Sequence, residues 1–430
     1  MKTLLKNISI IPVTGEDSFI EKGYIVIEND LIKGLGAGEA PELDCEKVID
    51  GRNRVVLPGF INTHTHAAMT LLRGYADDLP LMEWLETKIW PLEAKLTADD
   101  IYWGTMLAIV EMIKSGTTTF NDMYFFMDEV ARAVEASGMR AVLSRGMVGV
   151  GPENEQALDD SRELIGRWQG AAQGRISFRL GPHAPYTCPP DYLERVMKLA
   201  AELKAGLHIH VAETKGEFDD MVKIYGKTPV AHLNDLGLFE HQVLAAHCVH
   251  LTDEDIRILK NKGVGVAHNP ESNMKLASGI APVPQMLEAG IPVALGTDGA
   301  SSNNNLDMLQ EMRTCAFLHK VNAMNPTVLP AYQALEMATA NGAASLGLDK
   351  EVGRLRPGMK ADMIIMGLGE AHMTPRYDIL ANIVYSAQAA DVKTVIIDGK
   401  IVMEDREIKT LDEEEILKQA RKIGERLVKG

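Results

Sequence analysis

The spacing of apolar residues along the chain predicts a repeating strand–helix architecture. From Val55 to about Leu348, short apolar runs such as GTTTFNDM, ISFRLGPH and GLHIHVAE alternate with longer stretches such as ADDIYWGTMLAIVEMIKSG. The short runs predict buried strands, and the 3.6-residue spacing of the longer stretches predicts amphipathic helices. Gly116, Gly206 and Gly263 follow predicted helices and are expected to cap their C-termini. Eight such repeats predict the α/β class and a closed (β/α)8 TIM barrel.

Both ends of the chain predict strands outside this repeat. The first segment contains ISIIPV, YIVIEND and LIKGLG, and strand patterns return in GRLRPGMKADMIIM and VKTVIIDGKIVMEDREI. Pairing the two sets gives a small β-sandwich domain from residues 1–56 and 356–410, beside a barrel over 57–355. The charge-rich segment DEEEILKQARKIGERLVKG predicts a C-terminal helix over 411–430 with a solvated face.

Composition narrows the classes of partner. The 430 residues include 60 acidic and 44 basic side chains, which gives a net charge of −16. Nucleic-acid backbones and anionic membranes both favour positively charged proteins, so neither is expected as the main partner. A small anionic substrate held by one local arginine stays compatible with this charge. No apolar run reaches the length of a membrane span.

The cysteines and the start of the chain indicate a reducing compartment. Cys45, Cys188, Cys248 and Cys315 form no CxxC pair, so neither a disulfide framework nor a thiolate zinc site is predicted. The opening MKTLLKNISIIPVTGEDS has a broken apolar stretch and lacks a small-residue cleavage site, unlike a secretory signal. We therefore expect a cytoplasmic protein.

Polar side chains gather where the predicted barrel strands end. Active sites of such barrels lie at the carboxyl ends of the strands, because the loops there surround one mouth. A single histidine at a strand end would more often be a hydrogen-bonded structural residue than a metal ligand. Here eight of the 12 histidines converge on one mouth, which favours a functional role. The polar residues at these ends are His64, His66, His183, His208, His210, Glu213, His247, His250, His268 and Asp298.

Four of these residues form a predicted metal site. His64 and His66 are two apart on one strand, so both side chains point to the same side. His210 adds an imidazole from another strand, and Asp298 adds a carboxylate from the last one. Such a set suits Zn²⁺, with Fe²⁺, Mn²⁺ and Ni²⁺ as alternatives, and leaves one position for water. A second metal would need a bridging ligand such as a carboxylated lysine on strand four, and RISFRLGPHAPYT contains no lysine. One divalent ion per subunit is therefore expected.

The chemistry of such a site suggests hydrolysis. A bound cation lowers the pKa of its water towards neutrality and makes hydroxide available. Glu213, three residues beyond His210, is placed to move protons without binding the metal. His247 is expected to orient or deprotonate the water together with Asp298. His208 and His250 are predicted to be structural or to act through a neighbouring group.

The motifs that contain these residues resemble a known family. They are PGFINTHTH, HIHVAET, AAHCVH, AHNPESNMKLASG, LGTDGASSNNNLDML, ADMIIM and VIIDGKIV, which extend over nearly the whole chain. Together they look like the amidohydrolase superfamily, whose barrel is of the metal-dependent hydrolase type. More narrowly, the chain resembles the 5′-methylthioadenosine/S-adenosylhomocysteine deaminases.

This resemblance implies roles for particular residues. It places one zinc or comparable ion on His64, His66, His210 and Asp298, with Glu213 as the proton shuttle. It also implies that Glu213 and Asp298 contact the substrate. Further implied substrate contacts are Glu93 with the ribose hydroxyls, Arg145 with a carboxylate on the substrate tail, and His183 with the purine. Trp84 is a further candidate, for stacking against the nucleoside.

Plainer interpretations stay open for these contacts. Glu93 could pair with Lys95, Arg145 could form a salt bridge at the rim, and Trp84 could serve loop packing. The resemblance implies hydrolytic deamination of the adenine ring of methylthioadenosine and S-adenosylhomocysteine, and of adenosine as a further candidate, to the inosine analogues and ammonia. The alternatives are a guanine or triazine aminohydrolase and, from another class, a catalytically inactive barrel that serves assembly. A homodimer or homotetramer is expected from the superfamily.

Overall fold

The computed structural model describes residues 1–151 and 154–429. Within these ranges the strands are β1 (Lys2–Ile10), β2 (Ile20–Glu28), β3 (Leu31–Ala37), β4 (Lys47–Asp50), β5 (Arg54–Pro58), β6 (Phe60–Thr65), β7 (Thr117–Tyr124), β8 (Arg140–Met147), β9 (Ile176–Pro182), β10 (Leu207–Val211), β11 (Val243–His247), β12 (Gly265–His268), β13 (Val293–Leu295), β14 (Met363–Gly367), β15 (Val392–Ile397), β16 (Lys400–Glu404) and β17 (Glu407–Ile408).

The α-helices are α1 (Leu81–Trp84), α2 (Trp90–Glu93), α3 (Ala98–Ser115), α4 (Met127–Ser137), α5 (Asn154–Trp168), α6 (Ala171–Gly174), α7 (Pro190–Leu203), α8 (Lys215–Tyr225), α9 (Pro229–Asp235), α10 (Asp253–Lys262), α11 (Pro270–Lys275), α12 (Val283–Glu288), α13 (Met308–Asn322), α14 (Ala331–Ala338), α15 (Ala340–Leu346), α16 (Ile379–Tyr385) and α17 (Glu413–Lys429). A π-helical turn, Leu85–Ile89, joins α1 to α2. None of the helices in the described part of the chain is both long enough and apolar enough to cross a bilayer.

The strands β6 to β13 confirm the predicted barrel. They form one sheet of eight parallel strands in chain order. Hydrogen bonds also connect the first and last strands of this sheet. The backbone amide of Asp298, just after β13, donates to the carbonyl of His64 on β6 at 2.9 Å. The Thr63 hydroxyl donates to the Leu295 carbonyl at 2.8 Å and adds a second bond across the seam. The barrel is therefore nearly closed, and its strand ends face one mouth.

Strands from both chain ends pair in a second sheet, as expected. Its order is β17-β16-β15-β14-β5-β1-β2-β3, with β4 also paired to β1, so the terminal strands form one connected sheet. Alternate residues of β14 face two different cores, as the period of two in a strand requires. Ile364 and Met366 pack in the barrel core, whereas Met363 and Ile365 pack in a smaller core with Val56. The domain limits stay predictions.

Helix ends follow the sequence signals with one exception. Thr97 and Asp100 form a reciprocal capping box at the start of α3, and Gly116 ends this helix with a φ of 93°. Gly263 ends α10 in the same way, with a φ of 64°. The prediction for Gly206 is wrong, because α7 ends on Lys204 in the left-handed region. Gly206 instead allows close approach, since an added Cβ would lie 3.0 Å from the Gln242 carbonyl oxygen.

The C-terminal helix α17 packs on the outside of the barrel. Its buried residues Ile416, Ala420, Ile423 and Leu427 recur at three- and four-residue spacing and form one apolar face. Lys114 on α3 donates to Glu413 at 2.6 Å, which anchors the start of the helix. The rest of the helix surface carries the charged side chains that the sequence pattern assigned to solvent.

Candidate active site

The four predicted metal ligands lie together at the barrel mouth. His64 is on β6, His66 directly follows it, His210 is on β10 and Asp298 follows β13. The Oδ1 atom of Asp298 lies 3.4 Å from Nε2 of His64 and 3.3 Å from Nε2 of His66. The Nε2 atoms of His66 and His210 are 3.4 Å apart. Two imidazole ligands of one tetrahedral zinc ion would be separated by roughly 3.4 Å, given Zn–N bonds of about 2.05 Å.

The other ring nitrogen of each imidazole is held by the protein. Nδ1 of His66 donates to the Met123 carbonyl at 2.6 Å, and Nδ1 of His210 donates to the His183 carbonyl at 2.7 Å. Nδ1 of His64 lies 2.8 Å from Nε2 of the buried His208. Such partners fix the tautomer and aim the free nitrogen at a metal. His208 therefore contacts a predicted ligand, and its supporting role stays a prediction.

The unsatisfied atoms at this site fit a cation. Nε2 of His64 is buried and has no hydrogen-bond partner, although the opposite side of the ring is bonded. Burial lowers the pKa of His64 to about 4 and that of His210 well below its usual range, so both imidazoles are neutral and keep a lone pair. Burial opposes ionisation of Asp298, but the nearby imidazoles of His64, His66 and His247 favour its ionised form and hold its pKa well below its usual range. Three imidazoles and one carboxylate are a donor set suited to a divalent ion.

Two serines that sequence reasoning missed orient Asp298. The hydroxyls of Ser272 and Ser302 donate to its Oδ2 at 2.7 and 3.0 Å, which leaves Oδ1 facing the imidazoles. Asp298 also has a φ of 64°, which turns its side chain back across the mouth. Ser272 lies inside the AHNPESN motif, which was singled out as a whole without a role for this hydroxyl.

Glu213 and His247 form a second polar pair beside the ligands. Oε2 of Glu213 lies 3.8 Å from Nε2 of His247, and Nδ1 of His247 donates to Oδ1 of Asn273 at 2.9 Å. Burial raises the pKa of Glu213, which favours its protonated form. Burial lowers the pKa of His247, but the charges of Glu213 and Asp298 outweigh this effect and raise it. These shifts suit groups that exchange protons.

A cavity of about 410 Å³ opens onto these groups. Its wall includes His66, His210, Glu213, His247 and Asp298, and also Trp84, Glu93 and His183, so that Arg145 is the one predicted substrate contact outside it. The remaining wall is mainly apolar and aromatic and includes Met69, Leu81, Leu85, Ile89, Trp90, Met123, Phe125, Val148, Val150, Tyr186 and Leu276. A mainly apolar pocket with a few convergent polar groups is typical of a small-molecule site.

Glu93 is a half-buried carboxyl group in this wall. The Tyr124 hydroxyl donates to its Oε1 at 2.6 Å, and burial raises the pKa of Glu93. Within the described residues no ion pair joins Glu93 to Lys95, so the plainer alternative from the sequence is not found. Sequence reasoning missed Tyr124, although it ends β7 as the other polar residues end their strands.

His183 lies next to the metal ligands. Its ring centroid is 4.8 Å from that of His210, and its Nδ1 is bonded to the Thr187 hydroxyl at 2.9 Å. Burial lowers its pKa to about 4, so the ring is neutral. Trp84 also lines the cavity, but its indole nitrogen donates to the Ala76 carbonyl at 2.9 Å. This side chain therefore contributes to loop packing as well as to the wall.

Arg145 lies behind the cavity wall. It is on β8, its Nε is 3.6 Å from Oδ2 of Asp160, and its guanidinium lies 5.3 Å from the centroid of the Phe125 ring. Phe125 lines the cavity, and so does Gly146, the residue after Arg145. Arg145 itself does not line it. Its predicted contact with a substrate carboxylate stays a prediction.

A second histidine cluster lacks the features of a metal site. His268, Cys315 and His319 are buried together, with 3.3 Å between the two Nε2 atoms. Both Nδ1 atoms in this cluster have no hydrogen-bond partner, whereas every imidazole in the predicted site has one. Because metal-binding imidazoles almost always donate their second N–H, we interpret this cluster as packing.

Solved structures and curated proteins resemble this chain over its whole length. The crystal structure of an adenosine deaminase from Xanthomonas campestris with bound zinc matches with a TM-score of 0.95 and 35% identity, covering 100% of this chain and 99% of that chain. The 5-methylthioadenosine/S-adenosylhomocysteine deaminase of Syntrophomonas wolfei is 77% identical over 429 residues, 100% of both chains. The 5′-deoxyadenosine deaminase of Methanosarcina mazei is 53% identical over 427 residues, which cover 99% of this chain and 98% of that protein.

The family assignment agrees with the barrel and with its polar mouth. Residues 55–402 match the model of the amidohydrolase family. This range contains all eight barrel strands and every residue of the predicted site. The chain therefore belongs to the amidohydrolase family and, within it, to the 5-methylthioadenosine/S-adenosylhomocysteine deaminases.

Proposed function

We propose that this protein is a metal-dependent hydrolase that removes the C6 amino group from the adenine ring of 5′-methylthioadenosine and S-adenosylhomocysteine. The products are the corresponding inosine analogues and ammonia. The observation that carries the proposal is the placement of Glu213 and Glu93 in one cavity with His66, His210 and Asp298, three of the four predicted ligands. An acid for the ring nitrogen and an acceptor for ribose hydroxyls are the two groups that deamination of a nucleoside needs. The names of the relatives support the same substrate class.

One divalent ion, Zn²⁺, is proposed on His64, His66, His210 and Asp298. Their donor atoms and the unpartnered Nε2 of His64 support this assignment. A cation at this place lowers the pKa of a water molecule towards neutrality, so that a nucleophile is available at physiological pH. Fe²⁺, Mn²⁺ and Ni²⁺ are alternatives, because the same donor set binds several divalent ions.

Proton transfer is assigned to Glu213, His247 and Asp298. Water oxygen adds to C6 while the protonated carboxyl of Glu213 donates its proton to N1 of the ring, so the C6–N1 double bond becomes single. The first water proton passes to Glu213 and restores its protonated form. The second water proton passes to the exocyclic nitrogen through the Asp298 and His247 side chains. The C6–N bond then breaks, ammonia leaves, and N1 and C6 are left as the N–H and C=O of a hypoxanthine ring.

The remaining wall is proposed to select the nucleoside. Tyr124 occupies one oxygen of Glu93, and the carboxyl group accepts from the ribose hydroxyls. His183 contacts the purine, and Trp84 stacks beside it at the apolar wall that receives the thioether. Arg145 is proposed to meet the carboxylate of the S-adenosylhomocysteine tail, which requires its guanidinium to move from its place over Phe125.

A substrate panel tests this proposal. Ammonia release is measured with zinc-loaded protein and a chelated control on methylthioadenosine, S-adenosylhomocysteine, adenosine, guanine and a triazine. We expect metal-dependent release from the adenosine thioethers. Release from guanine or the triazine alone would overturn the substrate assignment, and no release with metal bound would point to another amidohydrolase reaction. No release and no bound metal would favour the inactive assembly protein.

The proposed setting is the cytoplasm, where a reducing environment suits the unpaired Cys45, Cys188, Cys248 and Cys315. A homodimer or homotetramer is proposed from the family. Sedimentation of the zinc-loaded protein measures this directly, and a monomer would contradict it.

A further inference from the structure

The turn after β10 holds Glu213 in an unusual backbone conformation. Ala212, which precedes it, has a φ of 52°, in the left-handed region that residues with a Cβ rarely adopt. Glu213 itself is buried and lines the cavity. A conformation of this kind persists only where the surrounding contacts enforce it. The contacts that enforce it therefore also decide where the Glu213 carboxyl group points.

Glu217 on α8 supplies contacts to both peptides of this turn. Its Oε1 accepts from the amide of Ala212 at 2.9 Å, and its Oε2 accepts from the amide of Glu213 at 2.8 Å. The Glu217 side chain is buried, and it is not part of the cavity wall. We call this pair of hydrogen bonds the Glu217 clamp.

The clamp departs from the ordinary use of such a glutamate. The segment Thr214-Lys-Gly-Glu217 has the sequence of a capping box, in which the glutamate bonds back to the amide of the first residue. Thr214 does cap the helix, because its hydroxyl accepts from the Glu217 amide at 3.1 Å. The Glu217 carboxyl group, however, reaches one and two residues further back, to the turn that carries Glu213.

The other side of the same turn is hydrogen-bonded to the loop that directly follows His247. The Ala212 carbonyl accepts from the amides of Val249 and His250, both at 3.0 Å. Ala212 is thus held by Glu217 through its N–H and by the loop after β11 through its carbonyl. This arrangement fixes the turn that sets the 3.8 Å separation between Glu213 and His247.

A carboxylate is a costly choice for a purely structural acceptor here. Burial raises the pKa of Glu217 to about 7, and among the described residues no cation forms an ion pair with it. Two backbone N–H groups donate here, one to each oxygen of Glu217. An ionised carboxylate can accept both hydrogen bonds, whereas a glutamine side chain has only one oxygen that accepts. The buried carboxylate of Glu217 is therefore unfavourable in free energy by itself, but it supplies the acceptors that both peptide N–H groups of this turn need.

We propose that Glu217 is a positioning residue for proton transfer, which holds the Glu213 peptide so that its carboxyl group reaches the ring nitrogen. Glu217 touches neither the substrate nor the metal ligands and acts through Glu213. The proposal rests on the proposed function, because it presupposes that Glu213 carries the proton. A displacement of about 1 Å at a reacting group can lower a rate by about 100-fold.

Three variants of the full-length, zinc-loaded protein test this role with methylthioadenosine as the substrate. Glu217→Ala removes both acceptors and is expected to lower kcat by about 100-fold, with KM changed less than about threefold and bound zinc unchanged. Glu217→Gln can accept from only one of the two amides and should lie between Glu217→Ala and the parent protein. Asp219→Asn, on the exposed side of the same helix, should match the parent.

A double variant separates this proposal from the role of Glu213. If Glu217 acts through Glu213, then Glu213→Gln with Glu217→Ala should turn over at the rate of Glu213→Gln alone, within about twofold. Losses that multiply would overturn the positioning role. Parent-level kcat in Glu217→Gln would also overturn it, which decides the matter if Glu217→Ala fails to fold or loses zinc. Near-normal turnover in Glu213→Gln alone would instead sink the proposed function of Glu213.

Discussion

Each predicted imidazole ligand offers one ring nitrogen to the protein and the other to the mouth of the barrel. His66 and His210 use backbone carbonyls for this purpose, whereas His64 uses the side chain of His208. In the cluster around His268, by contrast, the two Nε2 atoms lie 3.3 Å apart and both buried Nδ1 atoms have no partner. At the scale of single residues, the bond that the protein makes to Nδ1 of each predicted ligand distinguishes the site from that cluster.

The first residue-scale prediction concerns Glu213. Glu213→Gln keeps a polar side chain of the same shape but cannot donate and reaccept the proton, so kcat should fall by about 100- to 10,000-fold. Bound zinc should stay at the parent level, because Glu213 is not among the predicted ligands. Ammonia release and elemental analysis measure the two quantities. Near-normal turnover would remove the assigned role.

The second residue-scale prediction concerns Arg145. Arg145→Ala should lower kcat/KM for S-adenosylhomocysteine by about 10- to 100-fold, since a charged hydrogen bond to the tail is lost. Adenosine, which has no carboxylate, should lose less than about threefold. Arg162→Ala, in an exposed ion pair on α5, is the matched control. Equal losses on both substrates would mean that Arg145 serves the wall through Phe125 rather than the substrate.

At the scale of elements, the period of two along a strand made the convergence of the four predicted ligands predictable. His64 and His66 share one side of their strand, and strand ends of a parallel barrel meet at one mouth, so convergence followed from the sequence alone. His208 lies on the same side of β10 as His210 but deeper in the barrel, where it reaches His64. Strand periodicity thus indicates which side chains face the same side of the sheet. Only the packed structure shows which of these side chains contact each other, as His208 contacts His64.

Other contacts could not be predicted because they depend on side-chain direction. The position of Arg145 at a strand end was predictable, but its turn towards Asp160 and Phe125 depends on side chains from other elements. Ser272 and Asn273 both belong to the motif AHNPESNMKLASG. The direction of their side chains on helix α11 brings Ser272 to Asp298 and Asn273 to His247. The left-handed conformations of Ala212 and Asp298 could not be predicted either, because neither residue is a glycine.

The element-scale prediction concerns the support of β6 by β10. His208→Ala leaves the buried Nδ1–H of His64 without an acceptor, so zinc affinity should fall by about 10- to 100-fold. His208→Gln, whose carbonyl oxygen can accept, should recover part of the loss. Competition with a chelator measures the affinity, and His241→Gln in the turn before β11 is the control. Unchanged affinity in His208→Ala would show that His64 needs no such partner.

At the scale of the whole molecule, a buried charge network joins the barrel to the terminal sheet. Arg140 at the start of β8 donates through Nε to Asp362 at 2.7 Å and through Nη2 to Asp398 at 3.2 Å. All three side chains are buried, and both carboxylates come from the C-terminal part of the chain. Sequence reasoning predicted both sheets but not this connection, because the partners are more than 200 residues apart.

Breaking this network should destabilise the protein. Arg140→Met keeps much of the side-chain volume but leaves two buried carboxylates without their main counter-charge, so the free energy of unfolding should fall by about 3–5 kcal/mol. Chemical denaturation of the zinc-loaded protein measures the change. Arg132→Met, which breaks an exposed pair with Glu129, should leave the transition unchanged. An Arg140→Met transition equal to that of the parent would contradict a structural role for the network.

The central claim, a single-metal hydrolytic deaminase, is tested most directly by titrating zinc into metal-free protein and following ammonia release from methylthioadenosine. We expect no release without metal, a linear rise with added zinc, and a break at one equivalent per chain, because the four proposed ligands form a single site. A break at two equivalents, or turnover by the metal-free protein, would contradict the account.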